Sequence, residues 1–258
     1  LRLDAPSKDK LVPLFAEFEF RTLGKRIFGS DFTIQEASAE LVLMSEDDEK
    51  AQATKAAASS GDMQLDLLPD IAFKTFADVK TDYHVADSAD TLKQLVDELR
   101  AAGSFAFDTE TTSTSAFDTE LVGISFSTAP GTGWYVPVGH DEGRQLPRSR
   151  VLEVLGPVLE DQVLAKAAHN ANFELMVLAG NSVEVRNLDF DTMLAAHLSG
   201  RKAIGLKALA LECFGHEMTP IKDLIGTGRK QITMAQVSIQ KAGDYAAADA
   251  DFTQRLRQ

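Results

Sequence analysis

Two carboxylates separated by one residue, Asp108 and Glu110, follow a short apolar segment that begins at Ser104. Phe105 and Phe107 alternate along this segment, which predicts a buried β-strand. Because residues i and i+2 of a strand share a face, both acids should point to one side of the sheet and both phenylalanines to the other. Adjacent carboxylates repel one another and are best tolerated where a divalent cation such as Mg²⁺ or Mn²⁺ binds them. Taken alone, the pair fits the end of a strand that runs into a polar loop equally well.

Further acids lie at the ends of two other predicted elements. Glu174 follows Asn170 where a strand passes into a helix, and Tyr245 lies four residues before Asp249 in an alanine-rich segment. Alanine favours helix, and residues i and i+4 lie on one helical face, so Tyr245 and Asp249 should be neighbours. Three separate segments therefore offer acids to one candidate metal site.

The composition is that of a globular, acidic chain of 258 residues, 44% hydrophobic and 25% charged. No apolar run reaches about 18 residues, so we expect no membrane span. The single cysteine, Cys213, is expected to be a buried structural thiol; it cannot form an internal disulfide, which suits the cytoplasm. The net charge of −13 argues against a general nucleic-acid-binding surface. Residues 201–230 are locally basic, however, and offer either phosphate contacts or an ordinary solvated face.

The chain is expected to divide into three parts. Residues 1–44 carry apolar side chains at helical spacing, among them Leu11 and Leu14, and predict a small helical appendage. Residues 45–72 begin with acidic and small residues that lack apolar anchors, and predict a flexible linker, with an alanine-rich helix as the alternative. Residues 73–258 alternate strand and helix signals, and predict an α/β domain with a mixed sheet and helices on its faces.

Within this domain, a short strand at 83–85 precedes a helix that Ser88 should cap and Gly103 should end. The acid-bearing strand and two more, at 121–127 and 134–138, predict an antiparallel meander with a turn at Pro130 and Gly131. Further helices are expected at 151–159, 173–178, 192–199, 205–213 and 233–256, and further short strands at 163–168 and 185–190.

In their order and residue sequence, the three acidic segments resemble the motifs of the 3′–5′ proofreading exonuclease domain of family A bacterial DNA polymerases, the DNA polymerase I group. Asp108 and Glu110 match that family's first motif, Asp-x-Glu. Tyr245 and Asp249 match its third motif, Tyr-x-x-x-Asp, which places the chain in the tyrosine subgroup of the DnaQ-like, or DEDD, exonucleases. The resemblance runs from about residue 73 to residue 258, and residues 1–45 resemble the segment that follows the 5′-nuclease region in full-length polymerases.

The second motif of that family, Asn-x-x-(Tyr/Phe)-Asp, is matched by Asn170 and Phe173 but departs at its last position. Glu174 stands where the family has Asp, and its side chain is one methylene longer. A second departure is Thr114, at a position where the family often has Leu against the terminal base. The first departure concerns the geometry of metal binding, and the second concerns an apolar contact to DNA.

The resemblance implies an RNase H-like fold and a two-metal hydrolysis of 3′-terminal DNA phosphodiesters, with Mg²⁺ or Mn²⁺ as cofactors and nucleoside 5′-monophosphates as products. It implies that Asp108 bridges the ions, that Glu110 and Asp249 complete the first site, and that Glu174 holds the second. Tyr245 would orient the attacking water, since a phenol is a poor base at neutral pH. The DNA contacts expected around the motifs are Thr111, Thr114, Asn170 and Phe173, with core packing as the alternative for Phe173. Charge suggests as further phosphate contacts Arg201, Lys202, Lys207, Arg229 and Lys230.

The expected partners are the 3′ end of single-stranded DNA and the polymerase domain of a longer parent chain. We expect a monomer in the bacterial cytoplasm, associated with the nucleoid when it acts. Two alternatives stay open. The domain is a catalytically weak or silent exonuclease-fold scaffold because of Glu174, or it is an RNase D-like RNA exonuclease, since those enzymes share the tyrosine motif.

Overall fold

The computed structural model describes residues 74–75 and 81–258, all of which belong to the unit Leu67–Gln258. The predicted appendage at 1–44 and the predicted linker at 45–72 lie outside the described residues. Among the residues that are described, no helix is both long and apolar enough to cross a membrane.

Strands and helices alternate along this part of the chain, as the sequence predicts. The strands are β1 (Lys74–Thr75), β2 (Asp82–Val85), β3 (Ser104–Thr111), β4 (Leu121–Ser127), β5 (Thr132–Pro137), β6 (Ala165–Ala168), β7 (Leu188–Asp191) and β8 (His216–Glu217). The helices are α1 (Ala89–Ala102), α2 (Arg148–Leu159), α3 (Ala171–Gly180), α4 (Thr192–Leu198), α5 (Leu206–Phe214), α6 (Ile221–Ile225) and α7 (Ile239–Arg257). Two 3₁₀ turns, Gly228–Lys230 and Met234–Gln236, lie between α6 and α7.

Six strands form one mixed sheet in the order β2-β5-β4-β3-β6-β7. Strands β3, β4 and β5 pair antiparallel, which confirms the predicted meander. Strand β2 joins β5, β6 joins β3 and β7 joins β6 in parallel, while β1 and β8 form a separate parallel pair. The acid-bearing strand β3 therefore has a hydrogen-bonded neighbour on each side, which holds its backbone in place.

Helix α1 shows how local sequence sets the elements that surround β3. The Ser88 hydroxyl accepts a hydrogen bond from the backbone N–H of Thr91, and Thr91 Oγ1 accepts from the backbone N–H of Ser88, which forms a capping box. Gly103 ends the helix in the left-handed conformation, with φ of 71°. Both ends of α1 lie where the sequence predicts them, and β3 starts directly after Gly103.

The two faces of the sheet are covered differently. On one face, Phe105 and Phe107 pack in the main core with buried residues of α1, α2 and α3. On the other face, α7 lies against β3, β4 and β5 with small side chains such as Ala242 and Ala246. The approach is close enough that a Cβ on Gly133 would lie 2.8 Å from the Cβ of Ala247. The alanines of α7 therefore bring the helix, and the acid that it carries, close to the sheet.

Two expectations are wrong, one about an element and one about Cys213, and two short elements were not predicted. The helix expected at 233–256 is a 3₁₀ turn, Met234–Gln236, followed by an extended Val237 and then α7. The Gln236 side chain accepts a hydrogen bond from the backbone N–H of Thr233 at 3.0 Å, which favours a separate short turn. Helix α6 and strand β8 are too short to show a hydrophobic period, so the sequence gives no signal for them. Cys213 is exposed rather than buried.

Candidate active site

Strand β3 and helix α7 bring three acids together. Asp108 and Glu110 lie on β3, Asp249 lies on α7, and one carboxylate oxygen of each lies within 4.8 Å of the others. Glu110 and Asp249 are buried, and Asp108 is half-buried. The pairing of β3 with β4 shifts register between Glu110 and Thr111, so a bulge ends the regular ladder just beyond the second acid. We call Asp108, Glu110 and Asp249 the acidic group.

Glu174 approaches the acidic group from α3 without being part of it. It lies in the first turn of that helix and is 3% exposed. Its carboxylate accepts a hydrogen bond from the hydroxyl of Thr109, the residue between the two acids of β3. Burial and, after it, the charge of Glu174 raise the pKa of Asp108. The side chain that departs from the family motif is therefore held by a neighbour of the acids.

Burial raises the pKa of every acid in this site. For Asp108 and Glu110 the pKa lies well above the usual range, first because of burial and then because neighbouring carboxyls repel the charged form. Burial raises the pKa of Glu174 to about 8, although the hydrogen bonds from Thr109 oppose the shift. A set of oxygen donors that resist ionisation together fits a hard divalent cation, which compensates their charges and releases their protons.

Tyr245 and Lys207 complete the surroundings of Asp249. The Lys207 ammonium donates to the Tyr245 hydroxyl at 3.1 Å and to Asp249 Oδ1 at 3.3 Å. Its Nζ also lies 4.4 Å from the centroid of the Tyr245 ring. Burial and the nearby acids raise the pKa of Tyr245. The phenol is therefore protonated at neutral pH and acts as a hydrogen-bonding group rather than as a base.

An open cleft of about 820 Å³ lies over the acidic group. Four of the residues implied as DNA contacts line it, namely Thr111, Thr114, Asn170 and Phe173. Phe173 also packs against the main core, so the same ring serves the core and the cleft. The opposite wall comes from α6 and the segment after it, whose lining residues are Ile221, Ile225, Gly228, Gln231, Ile232, Thr233 and Met234. Sequence reasoning missed most of this wall because its elements are short.

The basic residues of 201–230 are divided between the site and the surface. None of the five basic residues implied as DNA contacts lines the cleft, but Lys207 contacts Asp249 and Tyr245, which do. Arg201 forms an exposed ion pair with Glu212. Arg229 and Lys230 are exposed in the 3₁₀ turn whose neighbours Gly228 and Gln231 line the cleft, so both lie at its rim.

Asp191 is a residue of this region that sequence reasoning did not assign to the site. Its carboxylate accepts four backbone hydrogen bonds at 2.8–3.3 Å, from Asn170 and Ala171 at the start of α3 and from Met193 and Leu194 at the start of α4. Asn170 itself takes the left-handed conformation, with φ of 63°. Asp191 thus fixes the start of the helix that carries Glu174. The sequence signal is an Asp directly before a predicted helix, which is typical of an N-cap.

The mixed sheet, with an Asp-x-Glu strand at its centre and a Tyr-x-x-x-Asp helix across it, has the fold of the RNase D and DnaQ-like exonucleases. Solved structures with this fold include Escherichia coli RNase D, at a TM-score of 0.51 and 21% identity, covering 69% of this chain and 44% of that one. The Aedes aegypti Nibbler EXO domain matches at a TM-score of 0.52 and 15% identity, covering 69% of this chain and 88% of that one. At these identities the likeness concerns the fold alone.

The family model described as 3′–5′ exonuclease matches residues 83–258, and the chain belongs to that family. DNA polymerase I of Chloroflexus aurantiacus is 45% identical over 178 residues, which cover 67% of this chain and 18% of the relative. DNA polymerase I of Pseudomonas aeruginosa is 38% identical over 186 residues, which cover 69% of this chain and 20% of the relative. The resemblance to the exonuclease domain of DNA polymerase I is thus confirmed, and the chain spans about a fifth of the length of these curated relatives.

Proposed function

We propose that residues 73–258 form a metal-dependent 3′–5′ exonuclease that removes nucleotides from the 3′ end of DNA and releases nucleoside 5′-monophosphates. The observation that carries the proposal is the acidic group, whose ligand atoms lie within 4.8 Å of one another beneath an open cleft. Family membership supports the direction of hydrolysis, and the relatives named DNA polymerase I support DNA as the substrate.

Two divalent ions, Mg²⁺ or Mn²⁺, would supply the activation of water and the stabilisation of the leaving oxygen. The acidic group would hold the first ion through Asp108, Glu110 and Asp249. Asp108 and Glu174 would hold the second, since Glu174 contacts Thr109, the residue between Asp108 and Glu110. The donor set supports this assignment, because carboxylate oxygens are the ligands that these hard cations prefer.

The residues around the acids would hold the substrate and the water. The protonated Tyr245 phenol lies next to Asp249 and would orient the attacking water by hydrogen bonding. Asn170, Phe173, Thr111 and Thr114 line the cleft and would contact the terminal nucleotides. The exposed Arg229 and Lys230 at the cleft rim, together with Arg201 and Lys202 further out, would meet phosphates of the incoming strand.

Glu174 would make the second metal site weak and the Mg²⁺-dependent activity slow. Its carboxylate is engaged by the Thr109 hydroxyl and stands outside the acidic group. An added methylene displaces a carboxylate by roughly 1–1.5 Å at a fixed backbone. Catalytic groups generally need to lie within about 0.5 Å of their productive position. The position of the Glu174 carboxylate outside the acidic group also favours a second candidate function, an exonuclease-fold scaffold with little or no activity.

The proposal extends to the setting of the domain. Because the relatives are DNA polymerase I and the chain spans only a fifth of them, the partner would be a polymerase domain in the same parent chain. The parent protein would act as a monomer in the bacterial cytoplasm, at the nucleoid.

The deciding experiment is digestion of a 3′-labelled single strand by the full chain, first with Mg²⁺ and then with Mn²⁺. We expect slow release of the labelled nucleoside 5′-monophosphate in Mg²⁺ and faster release in Mn²⁺. An Asp108→Ala variant prepared in parallel controls for contaminating nuclease. RNA of the same sequence cleaved faster than DNA would favour an RNase D-like enzyme, and no cleavage with either ion would favour the silent scaffold.

A further inference from the structure

Lys207 occupies a position in α5 that its local sequence does not favour. It is the second residue of the helix, in the first turn, where the partial positive charge of the helix end disfavours a cation. Helix α5 packs on α7 through Leu206, Ala210 and Phe252, which directs this first turn towards Asp249. The unfavourable interaction of Lys207 with the helix end is therefore offset by contacts outside α5.

The acidic group supplies that compensation. Lys207 donates to Asp249 at 3.3 Å and to the Tyr245 hydroxyl at 3.1 Å, and its ammonium lies over the Tyr245 ring. Its positive charge lowers the pKa of Asp108, Glu110 and Asp249, against the burial that raises all three. Of the ion pairs formed within residues 81–258, the Lys207–Asp249 pair is the one that reaches the acidic group.

We propose that Lys207 is a built-in counterion that pairs with Asp249 of the acidic group in the metal-free protein and is displaced when a divalent cation binds. This inference rests on the proposed metal-dependent function. A divalent ion bound by Asp249 would come within a few ångströms of the ammonium, and two positive charges so close repel strongly even in a partly hydrated cleft. The side chain is free to leave, because a third of it is exposed and its four-carbon stem is flexible.

Two consequences follow for the wild-type chain. Metal binding must break the charge-assisted hydrogen bond to Asp249, so Lys207 weakens the first metal ion's affinity. The displaced ammonium would then be available to phosphates of a strand bound in the cleft, because its two present partners, Tyr245 and Asp249, line that cleft. Lys207 is thus a positioning residue whose ammonium pairs with Asp249 in the metal-free protein and with a substrate phosphate in the metal-bound protein. In the metal-free protein its charge stabilises the fold against repulsion among the acids.

The test compares Lys207→Met, Lys207→Arg and wild type in the full chain after removal of metal with EDTA. Lys93→Met is the matched control, because Lys93 is exposed and pairs with Asp97 far along the chain from the acids. Mn²⁺ is titrated by calorimetry without DNA, and melting is measured with and without saturating Mn²⁺. Lys207→Met should bind the first Mn²⁺ about tenfold more tightly, since a charge-assisted hydrogen bond no longer has to be broken. Its metal-free melting temperature should fall by a few degrees, and Mn²⁺ should restore it.

Lys207→Arg should behave like wild type in both measurements, because it keeps the positive charge, and so should Lys93→Met. A lysine that only braces the fold would lower melting in both metal states and leave Mn²⁺ affinity unchanged. That result would overturn the inference while leaving the proposed function standing. If neither wild type nor Lys207→Met binds Mn²⁺, the proposed function and the inference are both wrong.

Discussion

Glu174→Asp should raise the rate of Mg²⁺-dependent hydrolysis. The substitution removes one methylene from a buried side chain and restores the residue that the family motif has at this position. It draws the carboxylate back by roughly 1–1.5 Å, beyond reach of the Thr109 hydroxyl that now holds it. Improved occupancy of the second metal site should then accelerate hydrolysis by about one to two decades, or roughly 1.4–2.7 kcal/mol of barrier.

The same substitution should cost stability, which separates this reasoning from a general improvement of the protein. Thr109 is 6% exposed, so its hydroxyl loses a buried partner when Glu174 is shortened. Leaving such a group unsatisfied typically costs about 1–3 kcal/mol. We therefore expect a faster but less stable enzyme, measured by single-turnover hydrolysis of a 3′-labelled oligonucleotide and by denaturant unfolding.

Thr109→Val provides the matched perturbation, with Thr109→Ser as the control that keeps the hydroxyl. In the wild-type background Thr109→Val frees Glu174 and should raise the Mg²⁺ rate modestly, whereas in Glu174→Asp it should change the rate little. Such non-additivity is what a shared contact produces. A folded Glu174→Asp protein that is no faster than wild type in Mg²⁺ would refute the reasoning, because Glu174 would then already serve the metal.

Three further outcomes are expected. Asp108→Ala should reduce cleavage by more than tenfold without lowering the metal-free melting temperature, since it relieves repulsion among the carboxyls. Activity and melting are measured on one preparation. Because the folded pKa of Glu174 is about 8 and the unfolded value is near 4.5, the metal-free fold binds more protons between these limits. Its stability should therefore fall as pH rises from about 4.5 to 8, and saturating Mn²⁺ should remove the decline; melting that is flat across this window would contradict the assignment. Arg229→Ala with Lys230→Ala should reduce the salt slope of single-strand binding by up to about 1.4, at about 0.7 per lost phosphate contact, and an unchanged slope would place the DNA path elsewhere.

Local sequence was sufficient for the elements that carry the acids. The alternation of Phe105 and Phe107 sets the face of β3 on which Asp108 and Glu110 lie, and the four-residue spacing in α7 makes Tyr245 a neighbour of Asp249. Capping residues and the hydrophobic period similarly set α1 and the meander, because each depends on residues close in sequence.

Contacts between residues far apart in the sequence could not be predicted from local patterns. Thr109 and Glu174 are 65 residues apart, and Lys207 and Asp249 are 42 apart, so no local period joins them. The sequence suggested Lys207 as a phosphate contact from its charge alone, whereas packing of α5 on α7 brings it to the acids. Its position directly before α4 predicts that Asp191 caps that helix alone. In the folded protein its carboxylate also accepts a hydrogen bond from the start of α3, which local sequence does not predict.

The acidic group needs a rigid frame, because repulsion would otherwise drive the carboxyls apart. Part of this frame is Asp251, which is fully buried and lies about 200° round α7 from Asp249, since successive helical residues are about 100° apart. Asp251 accepts hydrogen bonds from the Tyr83 hydroxyl at 2.7 Å, from the backbone N–H of Gly131 at 2.8 Å and from Arg255 at 2.8 Å and 2.9 Å. These contacts tie α7 to the edge strand β2 and to the turn between β4 and β5. They fix the rotation of the helix, so that one acid of the Asp-x-Asp pair anchors α7 and the other is held against β3 in spite of the repulsion.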